Sequence, residues 1–324
     1  MEIELQKVHG SENDFFILDE TLLAEPLTQA AIELLRKNLC NRQSGLLGGA
    51  DGILLVEQAS KGTSLAKMRV INSDGTEASM CGNGLRTVAR YLFEKYNEAF
   101  FSVETMFADL KVGKTTDFSD KVSAYQVEIS PVSFDKETVP MNSVQQTIIN
   151  ERIPALSDTL EFSVVSVPNP HLIAFVDHDG LMDGELERIA TYVNGENPIF
   201  PDGINVSFVE ILNRNELFVR TFERGVGLTS ACGTAMCASS LLYTLLHTKQ
   251  FYEKITVRNV GGFVQTVVHE TNDGGYWMEL IGNATVTHLI KGSLDSLVNG
   301  DFSELSIHET EEQREYKEFL KQQL

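Results

Sequence analysis

Residues 71–91 read INSDGTEASMCGNGLRTVARY, and residues 220–240 read RTFERGVGLTSACGTAMCASS. Each stretch sets a cysteine, Cys81 or Cys232, between a polar run and a segment with helical spacing of apolar residues. The two cysteines are 151 residues apart, and the same offset relates Asp51-Gly52-Ile53 to Asp202-Gly203-Ile204, Arg69 to Arg220, Ser79 to Ser230, Tyr125 to Tyr276 and Glu128 to Glu279. Asn13 in NDFFILD is echoed by Asn169 in NPHLIAFVD at an offset of 156, so a few residues were gained or lost near the start of one copy. The identities are sparse, and Asp-Gly is common in turns. The constant spacing nevertheless favours duplication of one unit over chance.

Around these anchors, short runs of apolar and β-branched residues predict many strands, among them FFILDE, DGILLVEQ, KMRVIN, INVSFVEI, LFVRTFE and KITVRNV. Helical periodicity is confined to Leu22 to Leu39, Gly184 to Val193 and the segments after Cys81 and Cys232. Many strands with few helices predict an α+β fold. A chain of 324 residues suits two domains of about 150 residues, each large enough for its own core.

The chain carries 46 acidic against 26 basic side chains, for a net charge of -20, which would repel nucleic-acid phosphates and anionic lipid alike. No apolar run approaches the roughly 18 residues that span a bilayer, and MEIELQKVHG has no signal-peptide character. Four cysteines without a CxxC pair are too few to staple such a fold or to suggest zinc, so reduced thiols and a cytoplasmic location are expected. No metal, nucleic-acid or membrane partner is expected.

Alone, CGNG or ACGT reads as a buried cysteine at a tight turn. A matched pair, one per copy, points to chemistry, because like domains facing each other across a cleft present equivalent residues from opposite sides. Each cysteine precedes a small-residue turn and a helix, so each thiol is expected at a helix N-terminus. There the aligned dipoles and free amides can draw a thiol from about 8.5 toward about 3.5 to 7.5. The same amides can hold a carboxylate. Inversion at a Cα needs a base on one face and an acid on the other, which such a pair supplies without a prosthetic group.

HGSENDFFILD, INSDGTEASMCGNGLRTVARY, VPNPHLIAFVD, FPDGINVSFVEI and RTFERGVGLTSACGTAMCASS, in this order, resemble diaminopimelate epimerase over roughly residues 3 to 290. The resemblance implies two pseudo-symmetric domains, each a curled, mostly antiparallel sheet around a central helix, with a cleft between them. It implies residues 1–120 with about 275–290 as the N-terminal domain, 121–274 as the C-terminal domain, and 291–324 as a charged extension. It implies epimerisation of LL-diaminopimelate to the meso isomer, a step of lysine and peptidoglycan precursor synthesis, without a cofactor. Cys81 and Cys232 are then the base and acid, and amides of Gly82, Asn83, Gly233 and Thr234 hold the reacting carboxylate. Residues matching the family's distal-end contacts are Asn13, Asn72, Asn169, Asn205, Glu223 and Arg224, and His171 matches a position near the reacting centre. The partner is a small amino-acid substrate. Family members are often dimers, which leaves a homodimer open.

Glu223 offers an acceptor for the distal ammonium and Arg224 a planar fork for the distal carboxylate, whereas an isolated Glu-Arg pair would be an ordinary exposed one. Cys40 and Cys237 have no partner in the repeat and read as structural. GLLGGADG, residues 45–52, is longer than the family's tighter GIGADG turn, which weakens any role for Gly52. The tail IHETEEQREYKEFLKQQL reads as a solvated helix or frayed end. Two alternatives stay open: a related cofactor-independent racemase of another amino acid such as histidine, and a thiol redox or metal-binding protein.

Overall fold

The offset of 151 becomes a correspondence of elements. The computed structural model describes residues 2–323. The first copy runs β1 (Glu2–Gly10), β2 (Asn13–Asp19), α1 (Gln29–Cys40), β3 (Gly52–Glu57), β4 (Ala66–Asn72), β5 (Glu77–Ala78), α2 (Gly82–Tyr96), β6 (Phe100–Glu104), β7 (Asp109–Lys114) and β8 (Ala124–Ile129). The second runs β9 (Glu151–Arg152), β10 (Glu161–Ser166), β11 (Pro170–Phe175), α3 (His178–Met182), α4 (Glu185–Val193), β12 (Asn205–Asn213), β13 (Glu216–Glu223), β14 (Gly227–Thr229), α5 (Gly233–Tyr243), β15 (Lys254–Asn259), β16 (Gly262–Glu270) and β17 (Tyr276–Asn283). The chain ends with β18 (Thr285–Ser293), α6 (Leu294–Asn299), β19 (Ser306–Glu309) and α7 (Glu312–Gln323).

Strand pairing repeats with the same senses. In the first copy β1–β2 is antiparallel, β2–β3 parallel, β3–β4 and β4–β5 antiparallel, β4–β6 parallel and β6–β7 antiparallel. In the second, β10–β11 is antiparallel, β11–β12 parallel, β12–β13 and β13–β14 antiparallel, β13–β15 parallel and β15–β16 antiparallel. The fold is α+β and mostly antiparallel, and the parallel β2–β3 pair in each copy's equivalent place is lined by nearly continuous buried apolar residues.

Each sheet curls around one helix. α2 packs against β1, β2, β3, β4 and β7, and α5 against β10, β11, β12, β13, β15 and β16. Leu85, Val88, Ala89 and Leu92 give α2 its apolar stripe, while α5 is buried on all sides, as its apolar composition dictates. The other sheet face takes α1 in the first copy, through Ile32, Leu35 and Leu39 against Phe16, Leu18, Ile53 and Leu55. In the second, α4 does the same through Leu186, Ile189 and Val193 against Phe162, Leu172, Val206 and Phe208. Alternation along β2 thus sends Phe16 toward α1 and Phe15 toward α2.

The compact units are Met1–Val127 with Ile281–Leu324, and Glu128–Leu280. The sequence predicts a separate charged extension over 291–324, and the structure differs. β18 pairs with β1 along its length, α6 adds Leu297 to the first core, and α7 buries Tyr316 and Phe319. Tyr316 sets its ring edge-on to His9 at 5.1 Å, Phe319 stacks on Phe118 at 5.9 Å, and Glu312 grips Arg90 of α2 through two bonds of 2.6 and 2.8 Å. Two aromatic residues three apart and the Glu312–Arg90 pair dock a helix that is otherwise mostly charged. Among the described residues no helix is long and apolar enough to cross a membrane.

Candidate active site

In the first unit the site begins at the β1–β2 hairpin. Gly10 pairs with Asn13, so the turn is only Ser11 and Glu12, and both take left-handed backbone angles, φ 53 and 65. Such two-residue turns match strand twist but strain non-glycine residues. The turn is fastened by Ser11 N donating to Asn283 Oδ1 at 2.9 Å, Arg86 Nη2 to Ser11 Oγ at 3.2 Å and Glu12 N to His9 Nδ1 at 3.2 Å. Gly10 is required here: a Cβ would lie 2.8 Å from both Arg86 Nη2 and Asn83 O. Arg86, fully buried on α2, therefore ties the hairpin to the helix that follows Cys81.

That hairpin presents Asn13 to Cys81. Cys81 is the N-cap of α2, extended at φ -139, and its sulfur accepts from Gly84 N at 3.4 Å. Its Sγ lies 3.5 Å from Asn13 Oδ1, which also accepts from Asn83 Nδ2 at 3.4 Å. Gly82 and Asn83 open the helix, both buried, with their amides in the unsatisfied first turn. Asn13 Nδ2 donates to Asp51 Oδ2 at 2.6 Å, and Arg42 bridges Asp51 and Asp14 at 2.5 and 2.6 Å. Asn72 sits at the end of β4, where its amide donates to Thr76 Oγ1 at 2.9 Å.

The longer 45–52 segment is pinned by Lys7, whose ammonium donates to Leu47 O and Gly49 O, both at 2.7 Å. Burial pushes this lysine below its ordinary range. A Cβ on Gly52 would meet Ile71 O at 2.4 Å, so position 52 serves the close approach of β3 to β4.

The second unit repeats the plan with different partners. Cys232 is the N-cap of α5, 8% exposed, with Sγ 3.5 Å from Thr234 Oγ1. Thr234 Oγ1 lies 3.1 Å from His171 Nε2, which lies 3.1 Å from Asn169 Oδ1. His171 is fully buried, and burial lowers it to about 3, so the ring is neutral and one nitrogen at most donates. Asn205 pairs with His171 across the parallel β11–β12 ladder and accepts from Arg224 N at 2.8 Å. The Arg224 guanidinium donates to Asp202 O at 2.8 Å, and among the described residues it makes no ion pair. Gly233 is buried at the first turn of α5.

Glu223 closes β13 beside Cys232. Burial pushes Cys232 above the ordinary cysteine range, and the Glu223 carboxylate adds to it, against weaker help from the Thr234 hydroxyl and Ala235 amide. Burial likewise raises Glu223. Each unit thus gathers its own residues: Asn13, Cys81, Gly82 and Asn83 in the first, and Asn169, His171, Asn205, Glu223, Arg224, Cys232, Gly233 and Thr234 in the second. Sequence reasoning missed Asp51 as the partner of Asn13 and Arg42 as the partner of Asp51, although Asp51 stands within the repeated Asp-Gly-Ile.

A family profile described as diaminopimelate epimerase matches residues 5–128 and 163–286, one segment per copy. The chain belongs to the diaminopimelate epimerase family. A relative named diaminopimelate epimerase from Enterococcus faecalis is 67% identical over 320 residues, covering 99% of this chain and 98% of its own. One from Ligilactobacillus salivarius is 56% identical, covering 99% of both chains, and one from Listeria monocytogenes 49%, covering 98% of both. Alignments of this extent take in most of the region 291–324. Among solved structures, a hydroxyproline epimerase from Agrobacterium vitis superposes with a TM-score of 0.61 at 15% identity, covering 90% of this chain and 91% of its own. A Bacillus anthracis phenazine biosynthesis protein of the PhzF family gives 0.60 at 15% identity, covering 90% and 99%. These share the fold of the epimerase family.

Proposed function

We propose that this enzyme epimerises LL-diaminopimelate to meso-diaminopimelate, with Cys81 and Cys232 as the two proton-transfer groups. The observation that carries the reading is the equivalent placing of the two thiols, each at the N-cap of its unit's central helix. The family, and relatives named for this activity, supply the substrate.

Removal of a Cα proton leaves a planar carbanion, and inversion follows when a proton returns to the opposite face. Burial and Glu223 keep the proton on Cys232, which suits it to the donating role while Cys81 abstracts. In the reverse direction the roles exchange. The first-turn amides of α2 and α5, from Gly82, Asn83, Gly233 and Thr234, are suited to the reacting carboxylate, whose charge grows as the carbanion forms. At the distal end, Arg224 would take the second carboxylate, Glu223 the ammonium, and Asn72, Asn169 and Asn205 the remaining donors and acceptors, while Asn13, its amide held between Asp51 and Cys81, belongs to the reacting end. His171 acts through Thr234 on Cys232. We place the enzyme in the cytoplasm, where thiols stay reduced, with a small amino acid as its partner and the homodimer common among family members as the assembly to test.

The substrate assignment is tested by comparing LL-diaminopimelate with histidine. A monocarboxylate leaves Arg224 without its partner, a loss of about 1–3 kcal/mol, so kcat/KM for histidine is expected to be about tenfold to a hundredfold lower or worse. Equal turnover of the two would shift the assignment to another amino acid.

A further inference from the structure

We propose that Asp51 is a positioning residue for Cys81: it fixes the amide of Asn13 with its oxygen toward the sulfur and so keeps this cysteine more basic than the start of α2 alone would leave it. The inference rests on the reading of Cys81 as a proton-transfer group.

The two ends of an asparagine amide have nearly the same shape and opposite hydrogen-bonding roles. A carboxylate can only accept, so Asp51 Oδ2, 2.6 Å from Asn13 Nδ2, decides which end is which. Turning the amide over would set two oxygens against each other at that distance. Asp51 is itself held, by Arg42 at 2.5 Å and by Asp14 N at 3.1 Å. Asn83 agrees with the assignment from the other side, because its Nδ2 donates to Asn13 Oδ1 at 3.4 Å. Cys81 Sγ, 3.5 Å from that oxygen, therefore meets an acceptor. A thiol can donate to it, whereas a thiolate faces a lone pair, so the contact favours the protonated form.

Gly84 N, 3.4 Å from the same sulfur, and the helix dipole act in the opposite sense. The opposition has a use. A thiolate made too acidic is a poor base for a Cα proton, and a proton-transfer group works best with its midpoint near the working pH. The device is confined to the first copy. Asp202 holds the place of Asp51 at the repeat offset, but its carbonyl accepts from Arg224, and Asn169 Oδ1 is met by His171.

The test is the pH dependence of iodoacetamide alkylation, followed on the Cys81 peptide by mass spectrometry in the full-length, substrate-free protein. Asp51→Asn keeps a side chain of the same size but releases the amide, which can then turn Nδ2 toward sulfur. The alkylation midpoint is expected to fall by about one pH unit. Asn13→Ala, which deletes the acceptor, is expected to lower it in the same direction. In the Asn13→Ala background, Asp51→Asn should move the midpoint no further. An unchanged or higher midpoint in either single variant overturns the proposal. So does an equal shift from Asp51→Asn in both backgrounds, which would mark a direct charge effect that bypasses Asn13. Alkylation does not depend on turnover: full activity of Cys81→Ala would defeat the catalytic reading and leave this result standing.

Discussion

Replacing either Cys81 or Cys232 with alanine is expected to lower kcat/KM for LL-diaminopimelate by about 10³-fold or more, within the 10²–10⁴ range that a positioned acid or base supplies. Both losses should be of similar size, because on the proposed mechanism each half of the inversion needs one sulfur. A loss of about 10³ corresponds to about 4 kcal/mol of transition-state stabilisation. KM should move less than kcat, since the amides of α2 and α5 proposed to hold the carboxylate belong to the backbone and survive the substitution. Steady-state kinetics on the two variants, with unfolding curves to show that both are folded, checks this. Near-normal turnover in either one removes that sulfur from the mechanism.

Tyr316→Ala is expected to destabilise the first unit by about 3 kcal/mol or more, the usual cost of emptying a buried aromatic site. Tyr316 is 2% exposed and edge-on to His9, whose neighbours Gly10 and Ser11 lead into the turn that carries Asn13. The loss is therefore felt at the hairpin as well as in α7. A solvated tail would respond within about 0.5 kcal/mol. The midpoint of urea unfolding distinguishes the two outcomes.

The sequence carries the duplicated architecture openly, because one α/β unit used twice leaves its anchors at a fixed spacing, and each cysteine is set at a helix start by the small residues after it. It also carries the identity of most polar groups around each thiol. The state of Cys232 is hidden from it. Helix position alone argues for a depressed thiol, whereas Glu223, nine residues earlier at the end of β13, is brought beside the sulfur only when β13 packs against α5. Asp51 is hidden for the same reason, lying 38 residues from the Asn13 it orients. The docking of α7 was marked by two aromatic residues three apart in a charged run, a pattern too short to outweigh its surroundings.

The claim that two separate groups handle the Cα proton is tested most directly by running the reaction from LL-diaminopimelate in D₂O and stopping at low conversion. A proton taken by one thiol and replaced from the other, solvent-equilibrated one puts deuterium at the inverted carbon of the meso product, while the recovered LL substrate stays essentially protiated. A meso product retaining the substrate's own hydrogen, or equal deuterium in product and recovered substrate from the first turnovers, would contradict the account.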